Sequence, residues 1–107
     1  MTDKVRKYLF DILESAKSIE KYIENIDFFQ YQKNKMVRRA VERELEIIGE
    51  AINALLKNNR NIEITSAERI IGMRNRVIHG YDKIDNEIIW GTIKRHLPVL
   101  KKEVKKY

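Results

Sequence analysis

The sequence has no cysteine, a single proline (Pro98) and only four glycines among its 107 residues. Without cysteine there is no disulfide scaffold and no thiolate metal site, so a hydrophobic core must hold the fold alone. So little glycine and proline leaves few places for tight turns, which points to an all-α chain. Long apolar runs are also missing: none approaches the length of a membrane span or of a signal-peptide core. The expected address is therefore the cytoplasm, with no membrane partner.

What is present fits one globular domain over residues 1–107. Hydrophobic residues make up 43% and charged residues 36%, with aliphatics recurring along the whole chain rather than thinning into a tail. A chain of this length buries about two thirds of its unfolded surface, enough for one core. Lys and Arg number 22 against 16 Asp and Glu, a net charge of +6. A basic surface attracts polyanions, which makes nucleic acid the first partner to consider. Solvated Lys/Glu-rich helix faces, common in heat-tolerant proteins, account for the same charge without a partner. The basic residues concentrate late: Lys94, Arg95, Lys101, Lys102, Lys105 and Lys106 face only Glu103 over the same stretch.

Hydrophobic spacing sets out four helices. Val5, Leu9, Ile12, Ala16, Ile19 and Ile23 alternate in steps of four and three, placing one amphipathic helix at about residues 3–24. Asn25, Ile26 and Asp27 read as the break, and Phe28, Phe29 and Tyr31 as a short connection. Val37, Val41, Leu45, Ile48, Ile52 and Leu55, with Ala51 alongside, mark a second helix from about Gln32 to Lys57. Glu44 falls within about 40° of that stripe on a helical wheel, where a carboxylate is usually edge-exposed and, if buried, needs a cationic partner. The polar turn Lys57-Asn58-Asn59-Arg60-Asn61 follows. Thr65-Ser66-Ala67-Glu68 reads as a capping box opening a third helix that carries Ile70, Ile71, Met73, Val77 and Ile78 and ends at Gly80. Asp85 or Asn86 caps the fourth, whose apolar positions are Ile88, Ile89, Trp90, Ile93, Leu97 and Leu100. Pro98 should kink or split that helix. The expected architecture is an up-and-down four-helix bundle.

One segment carries chemistry: Arg74-Asn75-Arg76-Val77-Ile78-His79-Gly80-Tyr81. Asn75 and His79 are four apart and share a helix face, and Arg74 lies about 100° from Asn75. Arginine grips a phosphate with a fork of two donors and stabilises charge developing on it, while histidine exchanges protons at neutral pH. RNA brings its own nucleophile, the 2′-hydroxyl, so Arg and His suffice for cleavage without a metal. Such cleavage needs both an acid and a base, and a two-fold dimer uniting both His79 residues supplies the pair. The plain alternative is a helix-ending histidine that interacts with the helix dipole. Arg-x4-His alone is a weak signal, and Tyr81 two residues later sharpens it. His96, beside basic residues, reads as a surface or edge residue without a role.

Arg74-x4-His79-Gly80-Tyr81 matches the R-x4-H-x-Y signature of HepT-like proteins in the HEPN superfamily, which the chain resembles over nearly its whole length. The stretch from Ala40 to Ala51, ending Gly49-Glu50-Ala51, resembles the family's second-helix signature. Met73-Arg74-Asn75, Trp90 and Leu97-Pro98-Val99-Leu100 follow in the family's order. The resemblance implies an all-α homodimer with its motifs facing each other across a cleft. It implies a metal-independent RNA endonuclease with 2′,3′-cyclic phosphate products, acting as the toxin of a type VII-like toxin–antitoxin pair. Arg74 and His79 would be catalytic, Asn75 would orient the site, and no metal or cofactor would be bound. The implied antitoxin is a minimal nucleotidyltransferase (MNT) that can transfer AMP from ATP onto Tyr81. No role attaches to Glu50. The alternative within the same family is an inert module that binds nucleotide or RNA or docks the nucleotidyltransferase.

Overall fold

The computed structural model describes residues 2–58, 62–72 and 86–107. Among these residues the structure is all-helical, without a strand. The helices are α1 (Asp3–Ile23), α2 (Phe28–Lys33), α3 (Lys35–Asn58), α4 (67–72) and α5 (Asn86–Lys105). No helix among the described residues is long and apolar enough to cross a membrane.

The Thr2 hydroxyl opens α1 by accepting the Val5 N–H at 3.2 Å, satisfying one of the donors a helix start leaves free. From there the expected stripe turns inward, with Val5, Leu9, Ile12, Ala16, Ile19 and Ile23 all buried. It meets Val41, Leu45, Ile48, Ile52 and Leu55 of α3, and Ile89, Ile93, Leu97 and Leu100 of α5, in one hydrophobic cluster. Each fully buried Ile or Leu contributes about 1.5–3 kcal/mol relative to an exposed one. The principal helix pair is α1 with α3; α5 packs on α1, and α2 touches both α3 and α5.

Four features add to or depart from expectation. First, the connection at Phe28–Tyr31 is a helix, which makes five helices among the described residues where four were expected. Asp27 accepts the Gln30 N–H at 2.9 Å while the Gln30 side chain accepts the Asp27 N–H at 3.0 Å, a reciprocal capping box. Six residues cannot hold a helix by propensity; aromatic packing does so here. Tyr31 is fully buried, and its ring lies 5.2 Å from that of Trp90, with Phe28 at 6.1 Å. The Tyr31 hydroxyl has no hydrogen-bond partner among the described residues. Burial pushes its ionisation well above the ordinary tyrosine value; the Glu42 carboxylate adds to this and Arg38 opposes it.

Second, Glu44 stands half-buried at the edge of the core, as the wheel allows, and takes hydroxyl partners. It accepts from Ser15 at 3.0 Å and from Tyr22 at 3.1 Å, two residues on one face of α1. That bond, with desolvation and the carboxylate's charge, raises the Tyr22 phenol above its ordinary value of 10.0. The more buried carboxylate of α3 is Glu42, and it is this one that has a cation, Arg39 at 2.9 Å.

Third, α5 continues through Pro98, so of the expected kink or split, the split does not occur. Proline removes one N–H and frees the carbonyl four residues earlier, that of Lys94. Pro98 and Lys94 are both exposed, on the side of the helix where a freed carbonyl is least costly. Fourth, α4 begins one residue later than the box at Thr65 implies. The Ser66 carbonyl accepts the Ile70 N–H at 3.0 Å, which makes Ser66 the cap residue. The Thr65 N–H goes instead to Glu103 of α5, at 2.9 Å.

Gly91 stands in mid-α5, where an added Cβ would meet nothing within 4 Å. Helix-interior glycine costs about 0.5–1 kcal/mol relative to alanine. Gly91→Ala is therefore expected to stabilise the chain by about that amount, read as a higher urea midpoint with an unchanged slope. A lower midpoint would show that the position has no room for a methyl group.

Candidate active site

Arg74, Asn75, His79 and Tyr81 lie outside the described residues, as do Met73, Val77, Ile78, Gly80 and Asp85. What the structure gives is the frame on either side of them: α4, described up to Gly72, and α5, from Asn86.

The start of α4 is held from the far end of α5. Besides the bond from Thr65 to Glu103, the Glu63 N–H donates to the Tyr107 hydroxyl at 3.1 Å. Glu103 is buried, and its second oxygen has no partner among the described residues. Ile64, Ala67 and Ile70 are buried beside these ties, which leaves Arg69 on the outer side of α4, exposed.

Along α5, Ile89, Ile93, Leu97 and Leu100 take the inner stripe. Glu87, Ile88, Gly91, Thr92, Arg95 and His96 recur at spacings of three and four on a neighbouring face. These six residues and Arg69 line a cleft of about 450 Å³. Its size falls in the range of about 300–1,000 Å³ usual for small-ligand sites. The lining brings together two guanidinium groups, an imidazole, one carboxylate and an exposed isoleucine. Such a set suits a phosphate-bearing ligand, because arginine pairs with phosphate through two parallel N–H donors. Among the described residues no group of three His, Cys, Asp or Glu side chains could hold a metal ion.

The Gly49-Glu50-Ala51 stretch lies within α3, with Gly49 and Ala51 buried and Glu50 exposed. Trp90 anchors α2, and the Lys94 ammonium sits 5.0 Å above its ring. The late basic residues do not form one free strip: Lys101 pairs with Glu20 at 2.6 Å, and Lys94 covers Trp90.

The model of the family described as "Ribonuclease HepT-like" matches residues 12–107. The chain belongs to the HepT-like family. Among its relatives, the Methanocaldococcus jannaschii protein named "Putative RNase MJ1380" is 39% identical over 102 residues, spanning 94% of this chain and 93% of that one. "Putative RNase TTE0752" of Caldanaerobacter subterraneus is 38% identical over 101 residues, 94% of this chain and 90% of its own. "Probable ribonuclease HepT" of Thermococcus cleftensis is 35% identical over 103 residues, 94% of this chain and 93% of its own. No solved structure matches the chain significantly.

In this HepT-like chain His96, read from the sequence as a surface or edge residue, stands at such an edge. It lines the cleft with Arg69 and Arg95 and is partly buried. A signal for it existed in Ile88, Thr92 and His96, four apart, a second face beside the Ile89–Ile93–Leu97 stripe. Reading charge along the chain alone merged Arg95 with the lysines that follow and hid the face it shares with His96.

Proposed function

We propose that this HepT-like chain is a metal-independent RNA endonuclease that serves as the toxin of a toxin–antitoxin pair. The family match carries this proposal, because residues 12–107 include the whole Arg74–Tyr81 motif. Relatives whose names carry ribonuclease activity support it.

The chemistry follows from the residue types. Arg74 holds the scissile phosphate with a fork of donors and stabilises the charge that builds there. The substrate's 2′-oxygen forms a bond to phosphorus as the bond to the 5′-oxygen breaks. The products are a 2′,3′-cyclic phosphate and a free 5′-hydroxyl, so an all-deoxy strand is not cut. One proton leaves the 2′-hydroxyl and one reaches the 5′-oxygen, which calls for two transfer groups. A homodimer with both His79 residues at one cleft provides them. Asn75 orients the site. The deciding experiment is cleavage of purified RNA in EDTA, compared between the parent chain and His79→Ala.

The proposal extends to control by a partner nucleotidyltransferase in the cytoplasm. That enzyme joins the Tyr81 oxygen to the α-phosphorus of ATP, and pyrophosphate leaves. The added AMP sets a negative phosphate beside Arg74, which fills the phosphate site and repels the RNA backbone. Co-expression with the partner is expected to shift the mass of the chain by whole multiples of AMP, mapping to Tyr81. If Tyr81→Phe is neutralised as fully as the parent, control is by docking alone and this extension fails.

A further inference from the structure

Six arginines belong to the described residues, and four of them have partners. Arg6 pairs with Asp3 at 3.9 Å, Arg39 with Glu42 at 2.9 Å and Arg43 with Glu46 at 3.2 Å, while Arg38 donates to the Gln32 carbonyl. Arg69 and Arg95 have no ion-pair or hydrogen-bond partner among the described residues, and both line the cleft between α4 and α5. His96 is the third side chain there without such a partner. The carboxylate that shares the cleft, Glu87, is already engaged in an interaction of its own. Elsewhere among the described residues three arginines pair with carboxylates; here two guanidinium groups line one hollow with no partner among those residues.

We propose that Arg69, Arg95 and His96 form a phosphate-binding subsite that holds the backbone of single-stranded RNA next to the cleavage motif. The two guanidinium groups supply paired N–H donors of the geometry a phosphodiester accepts, and lysine would supply only a point charge. His96 adds a ring N–H donor. Gly91 leaves the wall of the cleft bare, since nothing of the chain stands where its Cβ would be. Ile88, 39% exposed, offers an apolar surface beside these donors for a ribose or base. The cleft walls are α4 and α5, the elements that lead the chain into and out of the Arg74–Tyr81 segment. Arg69 precedes Arg74 by five residues in the sequence. The choice of RNA as the polyanion rests on the ribonuclease proposal; the phosphate chemistry of the cleft does not.

The test measures binding apart from cleavage. A short fluorescein-labelled single-stranded RNA is titrated by anisotropy against the full chain carrying His79→Ala, with and without Arg69→Gln and Arg95→Gln. Each phosphate contact on a single strand adds about 0.7 to the slope of log affinity against log salt, so removing two weakens binding about 25-fold at 0.1 M salt. The slope becomes shallower by about 1.4. A control that removes equal charge elsewhere, Arg6→Ala with Lys7→Ala, leaves affinity and slope nearly unchanged. The pair Arg69→Lys and Arg95→Lys, which keeps charge and loses the fork, falls between. Because both arginines are exposed, thermal melting is expected to be the same for all variants. Affinity in the Gln pair equal to that of the charge control overturns the subsite, as does failure of the His79→Ala chain to bind the RNA at all. Arginine-dependent binding in a parent that cuts no RNA refutes the ribonuclease and leaves the subsite standing. Undiminished cleavage and binding in the Gln pair does the reverse.

Discussion

Replacing His79 with alanine is expected to slow cleavage of purified RNA by about 10²–10⁴-fold, the usual worth of a positioned proton-transfer group. The assay is run in EDTA, with products resolved by size and their ends tested for 2′,3′-cyclic phosphate. Arg74→Ala is expected to lose a comparable factor, about 10²–10³, since it removes charge stabilisation at the phosphate. The two losses should combine to less than their product, because groups that act on one transition state are not additive. RNA affinity of His79→Ala should stay near the parental value, which separates lost chemistry from lost binding. Full activity in His79→Ala, or activity that returns only with added divalent metal, rules out the proposed mechanism.

Leu45→Ala is expected to be the most damaging single change to the scaffold. Leu45 is fully buried in α3, within the core cluster that α1 and α3 share. Truncating such a leucine costs about 2–5 kcal/mol, from lost transfer energy together with the cavity left behind. Domains of this kind hold only about 5–15 kcal/mol in total. A fall in melting temperature on the order of 10 °C or more should follow. Urea titration gives the same quantity from the midpoint at constant slope. A loss below about 1 kcal/mol would mean that the seam closes over the gap or is not packed as described.

The long helices were legible because their burial is one-sided and periodic. Every position of the α1 stripe, and Val41, Leu45, Ile48, Ile52 and Leu55 of α3, is buried as the spacing requires. The short helix α2 was not legible, since six residues give periodicity nothing to repeat. Its one local signal, Asp27 followed three residues later by Gln30, lacked an apolar run after it. What stabilises α2 is its contact with Trp90, some sixty residues away in sequence, and such contacts leave no mark on local pattern. Glu44 shows a related limit: a helical wheel places a carboxylate near the core edge but cannot say that Ser15 and Tyr22 will meet it. At Pro98 the sequence offers a kink or a split, and the choice depends on whether the freed carbonyl reaches water, which local pattern does not record. Of the candidate site, the Arg74–Tyr81 motif is a reading of residue types and order and lies outside the described residues. The cleft was not legible, for it needs Arg69 of α4 and Arg95 and His96 of α5 on one surface.

The tie between Glu103 and the Thr65 amide joins the two walls of the cleft at one end. Glu103 lies seven residues past His96, about 10 Å farther along the helix axis. The walls thus behave like tongs whose hinge is remote from the jaws, and the hinge sets the angle at which they stand before any ligand arrives. A ligand entering jaws already spaced for it gives up less freedom on binding. Loosening the hinge would weaken the grip without altering any residue in the mouth. A Glu103 variant with poor activity should accordingly not be taken for one that has lost a reacting group.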